Sequence, residues 1–190
     1  MRNTISGRMV AGPEPPRRRK KGSSPAAEGI DKGLFRQVLG RFATGVAVVT
    51  TRQPDDMLHG LTVNSFTSVS LAPPLVLICV ERRARSHEFI AQSGAFAVNF
   101  LSERQEIISE RFSARAPLVS GSFEGIPYRL AATGSPILEG CLAWLDCRLW
   151  ATYDGGDHSI FVGRVEALGL GEDGLPLLYY RGRYMFVEPE

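Results

Sequence analysis

Four stretches of this 190-residue chain concentrate side chains that can do chemistry. The first is Gly60-Leu61-Thr62-Val63-Asn64-Ser65-Phe66-Thr67-Ser68-Val69-Ser70-Leu71-Ala72-Pro73-Pro74. Small hydroxyl and amide groups beside extended backbone approach closely and both donate and accept, which suits the polar edge of a flat heterocycle. The same composition also describes the wet face of an ordinary strand. The second stretch, Arg82-Arg83-Ala84-Arg85-Ser86, combines guanidinium, hydroxyl and the start of a helix, the parts of an anion site. A solvated basic turn is the plainer alternative. The third, Gly155-Gly156-Asp157-His158, sets a histidine in a loop between two strands. The fourth, Tyr179-Tyr180-Arg181-Gly182-Arg183-Tyr184, is an aromatic and basic cluster. Its rings can stack and its Arg181 can meet a phosphate, or it is simply a strand end.

Other chemistries find little support. No nucleophilic triad or paired carboxylate stands out, and His59, His87 and His158 show no metal-ligand spacing. His59 is expected at a turn and His87 at a helix start. The three cysteines, Cys79, Cys141 and Cys147, form no C-x-x-C and read as buried small apolar groups. Cys141 and Cys147 fall on one predicted strand about 20 Å apart, beyond disulfide reach. The run Gly169-Leu170-Gly171-Glu172-Asp173-Gly174 has the spacing of a dinucleotide-binding turn. That motif needs a helix next, to aim its N-terminus at a pyrophosphate. Here Pro176 and Leu177-Leu178-Tyr179-Tyr180 follow, so a hairpin turn is expected.

Composition bounds the rest. Apolar residues make up 44% and charged residues 22%, ordinary values for a folded domain. Residues 1–30 hold seven of the 22 Lys/Arg and two of the 20 Asp/Glu, with Pro13, Pro15, Pro16 and no apolar periodicity. They are expected to form a disordered basic tail ahead of a domain over residues 31–190. The remainder is slightly acidic, which makes nucleic acid an unexpected partner. No apolar run approaches the roughly 20 residues of a membrane span, and no signal segment follows Arg2 and Arg8. A cytoplasmic protein is the expectation.

These groups need a frame. Asp31 reads as an N-cap for a helix in which Leu34, Phe35, Val38, Leu39 and Phe42 recur at helical spacing, ended by Gly45. Val46–Thr51 and Leu58–Asn64 read as strands flanking the turn at residues 53–56. The tandem prolines mark the start of the strand Leu75–Val80, because two missing donors exclude a central position. Ser86 is expected to cap a short helix with Phe89 and Ile90 inward, closed by Gly94. Ala95–Leu101 is the next strand. Ser102 and Gln105 form a capping box for a helix with Ile107, Ile108 and Phe112 on its apolar side. After an irregular excursion over residues 113–127, period-two alternation from Cys141 to Tyr153 predicts a long strand with one fully apolar face. Ile160–Val165 is its hairpin partner, and Leu177–Tyr180 and Tyr184–Val187 close the chain. Six or seven strands with two or three short helices predict a mainly β protein with α insertions, an antiparallel closed barrel.

The ordered set of motifs resembles the short-chain flavin reductase family, FMN-binding split barrels that include the reductase components of two-component flavin-dependent monooxygenases. The likeness runs from about Phe35 to Val187. It is carried by Ala43-Thr44-Gly45-Val46, the Thr62 to Pro74 stretch, Ser86, Asn99-Phe100-Leu101-Ser102, Gly156-Asp157-His158 and the Tyr179 to Tyr184 cluster. It implies an antiparallel split barrel that moves hydride from NAD(P)H to bound FMN or FAD, a homodimer, and a partner monooxygenase. It implies that Thr62, Val63, Asn64, Ser65 and Thr67 follow the flavin ring and ribityl chain, with Ser68, Val69 and Ser70 adding backbone and hydroxyl contacts. Cys79 and Val80 would back the ring, and Arg85 and Ser86 would meet the phosphate. His158 would serve the nicotinamide side, with Tyr180, Arg181 and Tyr184 as further nicotinamide-nucleotide contacts. Two other readings of such a barrel are an oxidase of a small molecule such as a pyridoxamine phosphate, and a non-enzymatic flavin or haem carrier.

Overall fold

The computed structural model describes residues 29–53, 55–113 and 123–188; residues 1–28 of the predicted tail lie outside them. In order, the elements are α1 (Lys32–Leu39), β1 (Thr44–Gly45), β2 (Ala47–Arg52), β3 (Leu58–Val63), β4 (Thr67–Leu71), β5 (Pro74–Glu81), α2 (Arg85–Ser93) and β6 (Ala95–Phe100). A 3₁₀ turn (Glu103–Gln105) leads into α3 (Glu106–Phe112). Then come β7 (Tyr128–Leu130), β8 (Pro136–Leu138), β9 (Ala143–Gly155), β10 (His158–Leu170), β11 (Leu178–Tyr180) and β12 (Arg183–Met185).

Seven strands form one antiparallel sheet in the order β3-β2-β6-β9-β10-β5-β4. Its two terminal strands, β3 and β4, are consecutive in the chain and joined by residues 64–66 alone. The sheet curls until strands far apart in its order share one core: Val63 of β3, Val49 of β2, Phe96 of β6, Cys147 of β9, Phe161 of β10 and Ile78 of β5 pack together with Ile90 of α2. Burying each of the larger apolar side chains contributes roughly 1.5–3 kcal/mol. Phe66 packs on this core and meets the Phe100 ring edge-on at 4.9 Å. This is the split barrel the motifs implied, open between β3 and β4. A second core of Val46, Val48, Leu101, Phe112, Leu138 and Leu177 joins the barrel wall to α3 and the small sheet β1-β11-β12.

Local rules explain most element ends. Asp31 caps α1, its carboxylate accepting from Leu34 N–H at 2.6 Å. Pro74 opens β5, so its missing donor falls at a strand start. Gly94 closes α2 in the left-handed region, φ 64°. Ser102 and Gln105 form the expected capping box. Arg181 and Gly182, φ 52° and 79°, make the two-residue turn between β11 and β12, the sign of φ that such hairpins demand. Asn99, fully buried, ties three strands: its amide donates to Val48 C=O and Thr50 Oγ1 and accepts from Leu138 N–H.

Several expectations need correction. The first helix ends at Leu39 with Gly40 as its cap, because Thr44–Gly45 pair with Tyr179 and Leu178 as a strand. None of α1 is buried. Ser86 does not cap α2. Ala84 holds that position without a side-chain bond, and Ser86 is the second helical residue. Ile107 is 73% exposed while Phe112 is buried. The long strand starts at Ala143 rather than Cys141, and its inward alternation holds through Leu145, Cys147 and Leu149. Asp146, on the opposite face, is buried as well because Thr133 covers it, and Tyr153 is exposed. Residues 171–175 are not a hairpin turn: they carry the chain from β10 to β11 in a different sheet. Cys79 is half-buried rather than buried. His59 lies within β3, not at a turn.

Candidate functional site

The site is built on the two strands that border the split. Along β3, Leu61 and Val63 face the barrel core. Gly60 and Thr62, of opposite parity, face α3. Thr62 Oγ1 donates to Ser109 C=O at 2.6 Å. Gly60 is required there, since a Cβ would stand 2.4 Å from the Phe112 ring. Asn64 is exposed and lines a cavity of about 180 Å³ with Val46, Thr62, Val63, Tyr179 and Tyr184. It also borders one of about 340 Å³ whose walls include Phe42, Thr44, Phe66 and Phe100. Thr44 Oγ1 is buried there with no hydrogen-bond partner.

Past the last β4 pair, Thr67 with Leu77, Ser65 stands in as the neighbour of β5. Its hydroxyl accepts from Cys79 N–H at 3.1 Å and donates to Cys79 C=O at 3.0 Å. Backbone groups on that stretch of edge are thus satisfied by one side chain. Burial pushes the half-buried Cys79 thiol above its ordinary range, which disfavours a thiolate. Val80 is core, so only its backbone can face a ligand. On β4, Thr67, Ser68 and Val69 are exposed. The register with β5 slips between Ser68 and Ser70, leaving Val69 as the extra residue of a bulge, outside the ladder. Sequence composition flagged these residues, but only strand pairing reveals the bulge.

At the other end of β3 lies the largest described cavity, about 580 Å³. Its walls include His59, Gly60, Leu61, Arg85, Ser86, Phe89, Arg111 and Phe112, with no carboxylate among them. Ser86 Oγ is hydrogen-bonded to His59 Nε2 at 2.6 Å. His59 also meets the Phe89 ring edge-on at 4.9 Å. Burial, and then the Arg85 charge, hold the His59 imidazolium unfavourable and its pKa low. Arg85 reaches over Phe89, 5.4 Å from its ring centre. Arg82 and Arg83 turn the other way: Arg82 pairs with Asp154 and donates to His158 C=O, and Arg83 pairs with Glu81. That leaves Arg85 as the guanidinium of this stretch that lines the cavity. Sequence reading missed His59 here. Its parity with Leu61 and Val63 was a signal that it faces inward.

The nicotinamide candidates fall in three separate surroundings. His158 pairs with Glu81 at the sheet end that carries α2, and its Nδ1 is 2.7 Å from Asp157 Oδ1. Tyr184 borders the Asn64 cavity, its hydroxyl 2.8 Å from Ser109 Oγ. Arg181 faces α1 instead, lining a cavity with Arg36 and Arg41 and lying 5.4 Å from the half-buried Tyr180 ring centre.

The sequence model of the flavin reductase like domain matches residues 39–188. The chain belongs to the flavin reductase-like family. A reductase subunit of a flavin-dependent monooxygenase, HsaB of Rhodococcus jostii, is 46% identical over 165 residues, 87% of this chain and 83% of that one. Nitrilotriacetate monooxygenase component B from Mycobacterium thermoresistibile superposes with TM-score 0.78 at 44% identity, covering 86% of this chain and 90% of that one. The NADH:FAD oxidoreductase SgcE6 of Streptomyces globisporus, solved with NAD and FAD fragments, gives 0.77 at 37% identity, covering 84% and 94%. These likenesses bear out the split barrel, the flavin reductase activity, and flavin with a nicotinamide nucleotide as its two cofactors. Among the described residues, no helix is long and apolar enough to cross a membrane, and no group of His, Cys, Asp and Glu could hold a metal.

Proposed function

We propose that this protein takes hydride from NAD(P)H onto FMN or FAD and supplies the reduced flavin to a partner monooxygenase in the cytoplasm. One observation supports the flavin placement above others: the β3 edge joins small polar groups at Asn64 and Ser65 to a carboxylate-free cavity holding Arg85 and Ser86. A flavin is a flat ring with a polar edge and an anionic tail, and that order of groups fits it. When bound, flavin supplies the hydride acceptor. The protein's own task is to bind, orient and exclude water. Thr62, Asn64, Ser65 and the backbone of Val63 and Val80 would fix the ring and ribityl chain, with Cys79 behind. The bulged edge Thr67, Ser68, Val69 and Ser70 would add backbone donors. Arg85, with the uncapped first turn of α2, would neutralise the phosphate, and Ser86 would donate its hydroxyl.

His158 would orient the nicotinamide, and Tyr180, Arg181 and Tyr184 would contact the rest of the nucleotide. His158 sits by Glu81 and Asp157 and Tyr184 by Asn64 and Ser109, and a second subunit would bring one such group to a nucleotide held by the other. A homodimer would supply that subunit. It would also cover the exposed apolar side of α1, where Leu34, Phe35, Val38 and Leu39 are all more than half exposed. The purified protein should oxidise NADH or NADPH at a rate that rises with added FMN or FAD. Yellow protein indifferent to both nucleotides would overturn the reading in favour of a carrier, and a Soret band would indicate haem.

A further inference from the structure

The phosphate reading leaves His59 without a role, yet its geometry is specific. Ser86 is 4% exposed, so its hydroxyl has few alternatives to the partner it holds. That partner comes from a strand 27 residues away, at 2.6 Å. The imidazole is clamped from its other side by Phe89, and both residues open onto the same cavity as Arg85. Among the described residues, the charged groups lining this cavity are Arg85 from α2 and Arg111 from α3. Burial first, and then the Arg85 charge, disfavour the imidazolium, so the ring is kept neutral.

A neutral imidazole offers one donor and one acceptor. If Nε2 accepts the Ser86 proton, the hydroxyl turns lone pairs toward any anion in the cavity. If Nε2–H donates to Ser86 Oγ, the hydroxyl proton is left for the anion. A bound phosphate therefore selects the second arrangement. We infer that His59 is a positioning residue: it donates from Nε2 to Ser86 Oγ and so directs the Ser86 hydroxyl proton at the phosphate of the flavin nucleotide. This rests on the placement of that phosphate at Arg85 and Ser86. It gives the β3 edge a function at both ends, and it makes discrimination between phosphorylated flavin and riboflavin depend on a residue that never touches the ligand.

The test measures affinity for FMN and riboflavin by flavin fluorescence in five variants of the full chain: Arg85→Ala, Ser86→Ala, His59→Phe, His59→Gln and the double variant His59→Phe/Ser86→Ala. Phe keeps a ring against Phe89 but removes the donor; Gln restores a donor near the Nε2 position. His59→Phe should weaken FMN about tenfold, the scale of a charged hydrogen bond, and leave riboflavin unchanged. His59→Gln should bind FMN nearly as the parent does. In the Ser86→Ala background, His59→Phe should have no further effect. If Arg85→Ala and Ser86→Ala leave the FMN-to-riboflavin ratio unchanged, the phosphate placement itself fails. If Ser86→Ala lowers that ratio and His59→Phe does not, the placement stands and the role of His59 is overturned. Equal losses for both ligands in His59→Phe would make the residue merely structural and overturn it too. Should the Phe variant not fold, His59→Asn replaces it. Its shorter amide cannot reach Ser86, so it must weaken FMN where Gln does not, and equal binding by the two overturns the inference.

Discussion

The two strands that border the split share a sequence style but not a fate. On β3, each polar or small residue of the outer face has a fixed neighbour: Gly60 lies against Phe112, and Thr62 is bonded to the α3 backbone. On β4, Thr67, Ser68 and Val69 are exposed, Leu71 is 96% exposed, and the ladder is broken by a bulge. One border is built into the subunit. The other is an edge left for a ligand or a second chain to cover. The two borders of the split thus differ in how much of their polar surface the subunit itself engages.

Matched substitutions on the two borders test this contrast most strongly. Gly60→Val should cost about 3 kcal/mol, because its side chain must displace the buried Phe112 ring. Ser68→Ala should stay within about 0.5 kcal/mol. Urea denaturation reads both, and similar losses would erase the distinction. The residue between the borders should behave as an intermediate case. Ser65→Ala leaves Cys79 N–H without its hydroxyl partner and should cost about 1–2 kcal/mol. It should also weaken flavin binding, read by fluorescence; stability loss with unchanged flavin affinity would assign Ser65 to the fold alone.

The smallest structural effect is expected at the hairpin tip beside β5. His158→Ala should change stability by less than about 0.5 kcal/mol. It should slow NAD(P)H oxidation about tenfold while flavin affinity holds; equal losses in both would return His158 to a structural part. The variant has a titration signature as well. The hydrogen bond from His158, and then its charge, hold the exposed Asp157 carboxyl below its usual 3.8. A depressed folded pKa contributes stability above the unfolded value, and that contribution disappears as pH falls through the folded one. Without His158 the Asp157 pKa should rise toward 3.8, followed by NMR titration; an unmoved value would show that the pair is not formed in solution.

Much of this was legible in the residues. Asp31, Gly94, the tandem prolines and the Ser102–Gln105 box each act within a few positions of themselves, and the structure uses each as expected. The first helix was overextended because apolar spacing at Phe42 continues past the cap, and pairing with β11 ends it. Ser86 misled for a related reason. A hydroxyl near a helix start is a good cap by rule, but here a distant histidine competes for it.

Local chemistry fixed the alternation of strands, the turns and caps, and the identity of the polar segment, since each depends on residues within a few positions. The sequence alone therefore determined that a barrel would present small polar groups next to a basic helix start. Which groups meet was decided by the curl and register of the sheet. Closing β3 against α2 brought His59 to Ser86, and a one-residue slip freed Val69 from its ladder. Contacts between residues tens of positions apart follow from the summed packing of the whole core, and no local pattern encodes that sum.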